Sequence, residues 1–256
     1  MVIDIHWHPR GDEAPREIAL AIEKAGLDQA VVMAPYFHGG DELPGMPMED
    51  ANRWIAKTAR EVPDRVIGFA WIEPTLPGAV DEVERCIVDY GLRGVKMIPN
   101  HWYPTDEAVF PVYEKIQELG VPILFHSGIL YGYEDGSRFC QPVLFEALIN
   151  FPGIKFALAH ISWPWVDECL AVYGRFEDQW QTYRGKRPAV KDLQMYIDLT
   201  PGTPPAWRVD APRKAISFVR HDHLLWGSDT IPAHWAGAQR TRASDRAIFG
   251  AQLGLP

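Results

Sequence analysis

The stretch Val-Ile-Asp-Ile-His-Trp-His at residues 2–8 decides how the rest of the chain is interpreted. It is a short apolar run that ends in two histidines, two positions apart. Side chains two apart on a β-strand point to the same side, so His6 and His8 are predicted to face one way and Trp7 the other. Two imidazoles placed in this way form a clamp for Zn²⁺ or a similar divalent ion.

Four further polar residues repeat this arrangement along the chain. Each lies at or just beyond the carboxyl end of an apolar run that is typical of a strand, and they are Lys96, His126, His160 and Asp229. A parallel barrel collects such residues from separate strand ends at its top face. The pattern therefore predicts a metal site at the mouth of a barrel, and an enzyme.

Apolar runs and amphipathic stretches alternate from end to end. Eight runs predict strands, at 2–8, 29–34, 66–72, 92–98, 121–126, 154–160, 195–199 and 224–229. The intervening stretches predict helices at 14–26, 49–62, 77–89, 106–119, 141–150, after 160, at 207–220 and near 241–252. This order favours one (β/α)8 TIM barrel of the α/β class, spanning residues 1–256 as a single domain. A doubly wound open sheet is the alternative, but it would gather ligands at one switch point rather than around a ring.

Composition excludes several classes of function. The formal net charge of −9 without a basic patch argues against nucleic acid or an anionic membrane as partner. No apolar run is long enough for a membrane span, and the first strand begins at once, without the features of a signal peptide. Cys86, Cys140 and Cys169 are few and far apart, which fits reduced thiols and a cytoplasmic location. Without a Cys-x-x-Cys pair, any metal must be held by imidazole and carboxylate.

These motifs together resemble the amidohydrolase superfamily, in particular the branch with aminocarboxymuconate-semialdehyde decarboxylase and other metal-dependent TIM-barrel hydrolases. His-Trp-His at 6–8 is similar to the family's His-x-His on strand one, and Lys96 to its strand-four lysine. His126, His160 and Asp229 are similar to the polar residues of strands five, six and eight. The resemblance covers residues 2 to about 230. The family usually has further helices after the last strand, so the C-terminal helices here are expected to be short or truncated.

The resemblance implies a site with assigned roles. His6, His8, His126 and Asp229 would ligate a divalent metal, with zinc favoured, and water would take the remaining position. A bound divalent ion can lower the pKa of water from about 15.7 to about 7. His160 would polarise that water or the substrate, and Asp229 would also accept a proton. Lys96 would either bind a substrate carboxylate beside one ion, which is favoured, or be carboxylated and bridge two ions.

Loops at the predicted barrel mouth supply candidates for substrate contact. Arg10 and Arg138 are the candidates for gripping an anionic substrate. Other polar or aromatic residues of these loops are His38, His101, Tyr103, Tyr131, Tyr133, Trp163 and His234. The Tyr131/Tyr133 pair suggests space for a flat or cyclic ligand. Asp4, two residues before His6, is expected to support the inner layer of the barrel rather than bind metal.

Three functions remain open at this point. The first is a metal-dependent hydrolase acting on an amide, lactone or ester of a small, carboxylated substrate. The second is a metal-dependent non-oxidative decarboxylase of an aromatic or muconate-like carboxylate, which shares the ligand set. The third is an inactive barrel that binds a ligand. A small-molecule substrate and a homodimer are the expected partners.

Overall fold

Eight parallel strands form a single sheet in sequence order, β1 to β8, in the computed structural model, which describes residues 1–35, 46–252 and 254. The strands are β1 Ile3–Trp7, β2 Gln29–Met33, β3 Val66–Trp71, β4 Gly94–Met97, β5 Ile123–Phe125, β6 Phe156–Leu158, β7 Met195–Asp198 and β8 Leu224–Leu225. Most of their residues are buried, as expected for parallel strands covered by helices. The predicted (β/α)8 barrel is confirmed.

The barrel closes through a short seam between its last and first strands. Strand β8 has only two residues, and beyond it Thr230 forms a parallel bridge with Trp7. The Ile5 N–H donates to the Trp226 carbonyl at 3.2 Å, and the His8 N–H to the Thr230 carbonyl at 2.9 Å. An open doubly wound sheet is therefore wrong for this chain. The seam also brings the histidines of β1 next to Asp229.

Helices alternate with the strands, and most lie where the amphipathic pattern predicts them. They are α1 Pro15–Lys24, α2 Met48–Glu61, α3 Ala79–Glu84, α4 Phe110–Leu119, α5 Val166–Tyr183, α6 Asp210–Phe218 and α7 Trp235–Ala247. Among the described residues, no helix has both the length and the apolar character to cross a membrane.

Two details differ from the predicted elements. The segment predicted as a helix at 141–150 is a 3₁₀-helix, Pro142–Asn150, and the Gln194 amide donates to carbonyls at its end and just beyond, Leu148, Phe151 and Ile154. The last helix begins at Trp235 rather than near 241, and a π-helical turn, Ile248–Gln252, follows it. The Gly/Pro-rich loop predicted at 35–48 lies mostly outside the described residues, as does the end of the chain at 253 and 255–256.

A register irregularity in β1 shapes the barrel interior. It lies between Asp4 and Trp7 in the pairing with β2. As a result Ile5 packs inside the barrel, whereas Trp7 is fully buried in the core between sheet and helices. Irregularities of this kind redirect a side chain, here His6, which still points into the barrel mouth beside His8. Strict alternation therefore predicted correctly that both histidines face the mouth, but it did not predict the irregular backbone that brings them there.

Candidate metal centre

Three side chains converge at the mouth of the barrel, on the seam. The Nε2 atoms of His6 and His8 are 3.0 Å apart, and Asp229 Oδ1 lies 3.6 Å from the first and 3.4 Å from the second. All three donor atoms lie within 4.8 Å of one another. Two imidazole nitrogens and a carboxylate oxygen are donors that divalent metals of the zinc and manganese type accept. We call these atoms the three-donor group.

Asp229 reaches this group through an unusual backbone conformation. It lies four residues beyond the end of β8 and has a φ of 52°, in the left-handed region. Aspartate tolerates this region better than most residues, and such conformations cluster at functional sites. The adjacent Thr230 is anchored to His8 across the seam. The left-handed turn therefore places the carboxylate over the two histidines.

His6 is held from behind by a carboxylate that the sequence did not indicate. The Nδ1 atom of His6 lies 2.7 Å from Oδ2 of Asp198, at the end of β7, and both side chains are fully buried. Asp198 in turn accepts from the Thr200 N–H at 2.8 Å and from the Thr200 hydroxyl. Burial raises the pKa of Asp198, while the hydrogen bonds from Thr200 and the charge of Lys96 act in the opposite direction. The missed signal was a carboxylate at the end of an apolar strand, the same signal that identified Lys96.

Lys96 lies next to the three-donor group. Its side chain is fully buried, and its Nζ atom is 3.4 Å from His6 Nε2. Burial lowers the pKa of this lysine to about 8, although the charges of Asp229 and Asp198 act to raise it. The structure thus places Lys96 at the site, where either of its predicted roles would require it.

His126 and His160 lie next to the three-donor group, on the side of the mouth formed by β5 and β6. Their ring centroids are 5.1 Å apart, and the His160 ring is 5.2 Å from that of His6. The Nε2 atom of His126 donates to the Ile129 carbonyl at 3.2 Å, so Nδ1 is the ring nitrogen that could bind a metal. Within the described part of the chain, the three-donor group does not include His126. Its role as fourth ligand stays a prediction.

Strand β6 ends at Leu158, so His160 lies in a turn and not at a strand end. His160, Ile161 and Ser162 have φ values of 61°, 50° and 53°, three consecutive left-handed residues. The Nδ1 atom of His160 is buried and has no hydrogen-bond partner among the described residues. A Cβ on Gly202 would lie 2.7 Å from Cβ and Cγ of His160, so only glycine leaves space for this imidazole.

The loops after β5 and β6 are held together by hydrogen bonds and by a close approach of their backbones. The hydroxyls of Ser127 and Ser162 are 2.7 Å apart, and the Ile129 N–H donates to the Trp163 carbonyl at 2.9 Å. Gly128 has a φ of 98°, and a Cβ there would lie 2.5 Å from the Trp163 oxygen. This close backbone approach fixes the two loops on which His126 and His160 are placed.

These side chains surround a cavity of about 220 Å³, which we call the mouth pocket. Its lining combines aromatic and apolar residues with polar site residues. The lining residues are His8, Ile98, His126, Ile129, Leu130, Tyr131, Tyr133, His160, Trp163, Gly202 and Asp229. The predicted contribution of Tyr131, Tyr133 and Trp163 agrees with this lining. His38 lies outside the described residues.

Arg10 and Arg138 do not line the mouth pocket. Arg10 is exposed, next to a turn in which its backbone N–H donates to Glu13. Arg138 is exposed as well, pairs with Asp135 at 3.1 Å and lies over the Phe139 ring. The guanidinium of Arg138 thus has partners three residues and one residue away in its own loop. The sequence did not indicate that these partners would compete with a substrate for it.

The sequence profile of the amidohydrolase family matches residues 3–254, almost the whole chain. The chain belongs to the amidohydrolase family. It is 28% identical over 249 residues to the 2-keto-4-carboxy-3-hexenedioate hydratase of Sphingobium sp., covering 83% of this chain and 68% of that protein.

Solved structures share the fold of this amidohydrolase. One is a 4-oxalomesaconate hydratase from Rhodopseudomonas palustris, with 21% identity, a TM-score of 0.57, and coverage of 90% of this chain and 81% of that chain. Another is a 5-carboxyvanillate decarboxylase from Novosphingobium aromaticivorans with bound manganese, with 16% identity, a TM-score of 0.61, and coverage of 88% and 73%. At these identities the similarity shows the barrel fold and no more.

Three histidines of the amidohydrolase site are held in their uncharged form. Burial lowers the pKa of His6, His8 and His126 well below 6.5, and the nearby Lys96 charge lowers each further. All three imidazoles are therefore neutral at pH 7, the form that binds metal.

Asp4 stays outside the site: its Oδ1 accepts the N–H groups of His6 and Ser228, in agreement with the predicted supporting role.

Proposed function

We propose that this amidohydrolase is a metal-dependent lyase that adds water to, or removes it from, a carbon–carbon double bond of a small unsaturated polycarboxylate. The observation that carries the proposal is that the three-donor group and the buried imidazole of His160, whose Nδ1 has no hydrogen-bond partner among the described residues, meet at one small pocket. The choice of reaction is supported by the sequence relative named as a hydratase of a carboxylated hexenedioate. The hydrolase interpretation of the sequence is the alternative that the experiment below separates.

The chain offers a ligand set for one divalent ion. His6, His8 and Asp229 would hold it, with His126 as the proposed fourth ligand, and both zinc and manganese accept these donors. When bound, such an ion would supply Lewis-acid polarisation of a substrate oxygen and a lowered pKa for water. One ion is proposed, and two ions bridged by a carboxylated Lys96 is the alternative that metal counting separates.

His160 is the group that we propose moves a proton. Its imidazole is almost fully buried in the pocket wall, and the missing Cβ of Gly202 leaves it space. In hydration, His160 would give a proton to one carbon of the double bond while a water oxygen bonds to the other carbon. The proton released by that water would restore His160, so that the residue is unchanged after each turnover.

Lys96 provides positive charge next to this pocket. A polycarboxylate brings two or more negative charges, and the described residues that line the pocket include no lysine or arginine. The buried ammonium of Lys96, 3.4 Å from His6, is therefore the proposed source of attraction for the substrate carboxylate. This role replaces the contribution expected from Arg10 and Arg138.

Non-oxidative decarboxylation of an aromatic or muconate-like acid is the second candidate. The aromatic wall formed by Tyr131, Tyr133 and Trp163 favours it, since a flat ring packs well against such side chains. The same donors and the same histidine would serve both reactions.

The test uses purified protein loaded with zinc or manganese and incubated with three substrate panels in ¹⁸O-labelled water. The panels are unsaturated di- and tricarboxylates, hydroxybenzoates, and lactones or amides. We expect loss of conjugated-alkene absorbance in the first panel, with one labelled oxygen in the product. Release of CO₂ without label in the organic product would transfer the assignment to decarboxylation, and cleavage with label in a carboxylate would transfer it to hydrolysis.

The variant His160→Asn separates chemistry from metal binding. We expect it to keep the metal content of the wild type and to lose turnover. Absence of any bound divalent ion in wild-type protein after supplementation would overturn the proposal and favour a ligand-binding barrel.

A further inference from the structure

We infer that Asp198 is a positioning residue that orients His6 as a metal ligand by fixing which of its ring nitrogens carries the proton. The inference rests on the proposed metal-dependent function and adds a residue that neither the sequence motifs nor the three-donor group contains. It is carried by the 2.7 Å contact between His6 Nδ1 and Asp198 Oδ2, made by two fully buried side chains on different strands.

The contact determines the chemistry of the opposite edge of the ring. An ionised carboxylate only accepts hydrogen bonds, so the proton of a neutral His6 lies on Nδ1. Nε2 then carries a lone pair, and it is this atom that faces His8 Nε2, Asp229 Oδ1 and Lys96 Nζ. A carboxylate behind a ligating histidine fixes the tautomer, orients the ring and makes the histidine a better donor.

Asp198 is itself held in place. Its Oδ1 accepts the N–H and the hydroxyl of Thr200, so Oδ2 is left to face His6. The Thr200 hydroxyl also lies 3.4 Å from His6 Nδ1. A Cβ on Gly227 would lie 2.7 Å from this hydroxyl and 2.8 Å from His6 Cβ, so glycine keeps β1, β7 and the residues after β8 close together at this point.

The chain provides a matched control in Asp4, the other buried carboxylate beside His6. Its Oδ1 accepts the backbone N–H of His6 at 3.1 Å and of Ser228 at 3.0 Å, without contact to an imidazole nitrogen. Asp4→Asn and Asp198→Asn each replace one buried carboxylate by an isosteric amide. Only the second is expected to change the donor properties of His6, since an amide can turn its NH₂ group toward Nδ1 and stabilise the tautomer with the proton on Nε2.

The experiment measures metal affinity directly. Wild type, Asp198→Asn and Asp4→Asn are stripped of metal, and zinc and manganese affinities are determined by competition with a chromophoric chelator, with elemental analysis for stoichiometry. We expect Asp198→Asn to bind about 10- to 100-fold more weakly than wild type, and Asp4→Asn to stay within about threefold. Asp198→Glu, which retains a carboxylate, should recover part of the loss. The absorption spectrum of the cobalt-loaded protein should change for Asp198→Asn and not for Asp4→Asn.

The outcomes separate this inference from the proposed function. If wild type binds no metal, the proposed function fails. If wild type binds metal and Asp198→Asn binds it equally well with an unchanged cobalt spectrum, the role of Asp198 is refuted while the metal site stands. Should Asp198→Asn not fold, Thr200→Val tests the same chain of contacts: weaker metal binding supports the inference, and unchanged binding overturns it.

Discussion

The two sides of the mouth pocket are built in different ways. On the seam side, β1, β7 and the residues after β8 bring His6, His8, Asp198 and Asp229 into direct contact through ring nitrogens and carboxylates. On the side formed by β5 and β6, His126 and His160 depend on left-handed turns, two close-packed glycines and a serine pair. On the seam side, contacts between the polar side chains fix their positions. On the other side, the conformation of the backbone fixes the positions of the histidines. Substitutions on the seam side should therefore affect metal binding, and those around His160 should affect turnover.

The largest expected effect is that of His8→Ala, which removes one of the three donors. We expect loss of stoichiometric metal and a fall in kcat/KM on the order of a thousandfold. Elemental analysis after gel filtration and steady-state kinetics are the measurements. The control is His221→Ala, since His221 is exposed in the turn before β8. Retention of metal by the His8 variant would contradict the assignment of the seam side.

Lys96→Met should test the buried charge that lies next to the seam side, through the pH dependence of the free energy of unfolding. Because burial lowers the pKa of Lys96 to about 8 from 10.5, the unfolded chain binds more protons than the folded one between these values. The free energy of unfolding of metal-free wild type should therefore gain up to about 3 kcal/mol from this group as pH rises from 8 to 10.5. The methionine variant should lack this gain in urea unfolding. Equal pH dependence of the two proteins would place the lysine outside the buried environment described here.

Gly202→Ala tests the other side of the pocket. The added Cβ would displace the His160 imidazole, so we expect kcat to fall about 10- to 100-fold while metal content is unchanged. Gly174→Ala is the matched control, because this glycine lies inside α5 and its nearest contact is the ring of the exposed Phe218. Loss of metal in the Gly202 variant would show that the two sides are not independent.

The smallest expected effect is that of Ser127→Ala, which removes one hydroxyl from the hydrogen bonds between the loops after β5 and β6. Ser127 hydrogen-bonds with Ser162 and with the Cys140 carbonyl. We expect a loss of about 1 kcal/mol in the free energy of unfolding and a modest fall in kcat. Urea denaturation and kinetics at constant metal loading are the measurements. An effect on metal affinity instead of kcat would contradict the division between the two sides.

The sequence alone predicted the barrel and the position of six site residues, because polar groups at the ends of apolar strands are visible as a pattern. It did not predict Asp198, although that carboxylate ends β7 in the same way. The left-handed run at His160 and the irregularity in β1 arise from tertiary packing, which local sequence does not encode. Arg10 and Arg138 lie outside the pocket lining for another reason: the direction of a loop side chain depends on local partners such as Asp135.

Because the seam between β8 and β1 is short, a bound ion would also stabilise the closure of the barrel. His8 and Asp229 belong to the first and last strand regions, and within the sheet the described residues of these regions are joined by one bridge and a few hydrogen bonds. A cation shared by these residues would cross-link two segments that are far apart in the chain. Its removal should allow local opening of the barrel between β8 and β1 before other parts of the sheet open. Amide hydrogen exchange at His8 should then accelerate in metal-free protein, while that of the β2–β3 pair is retained.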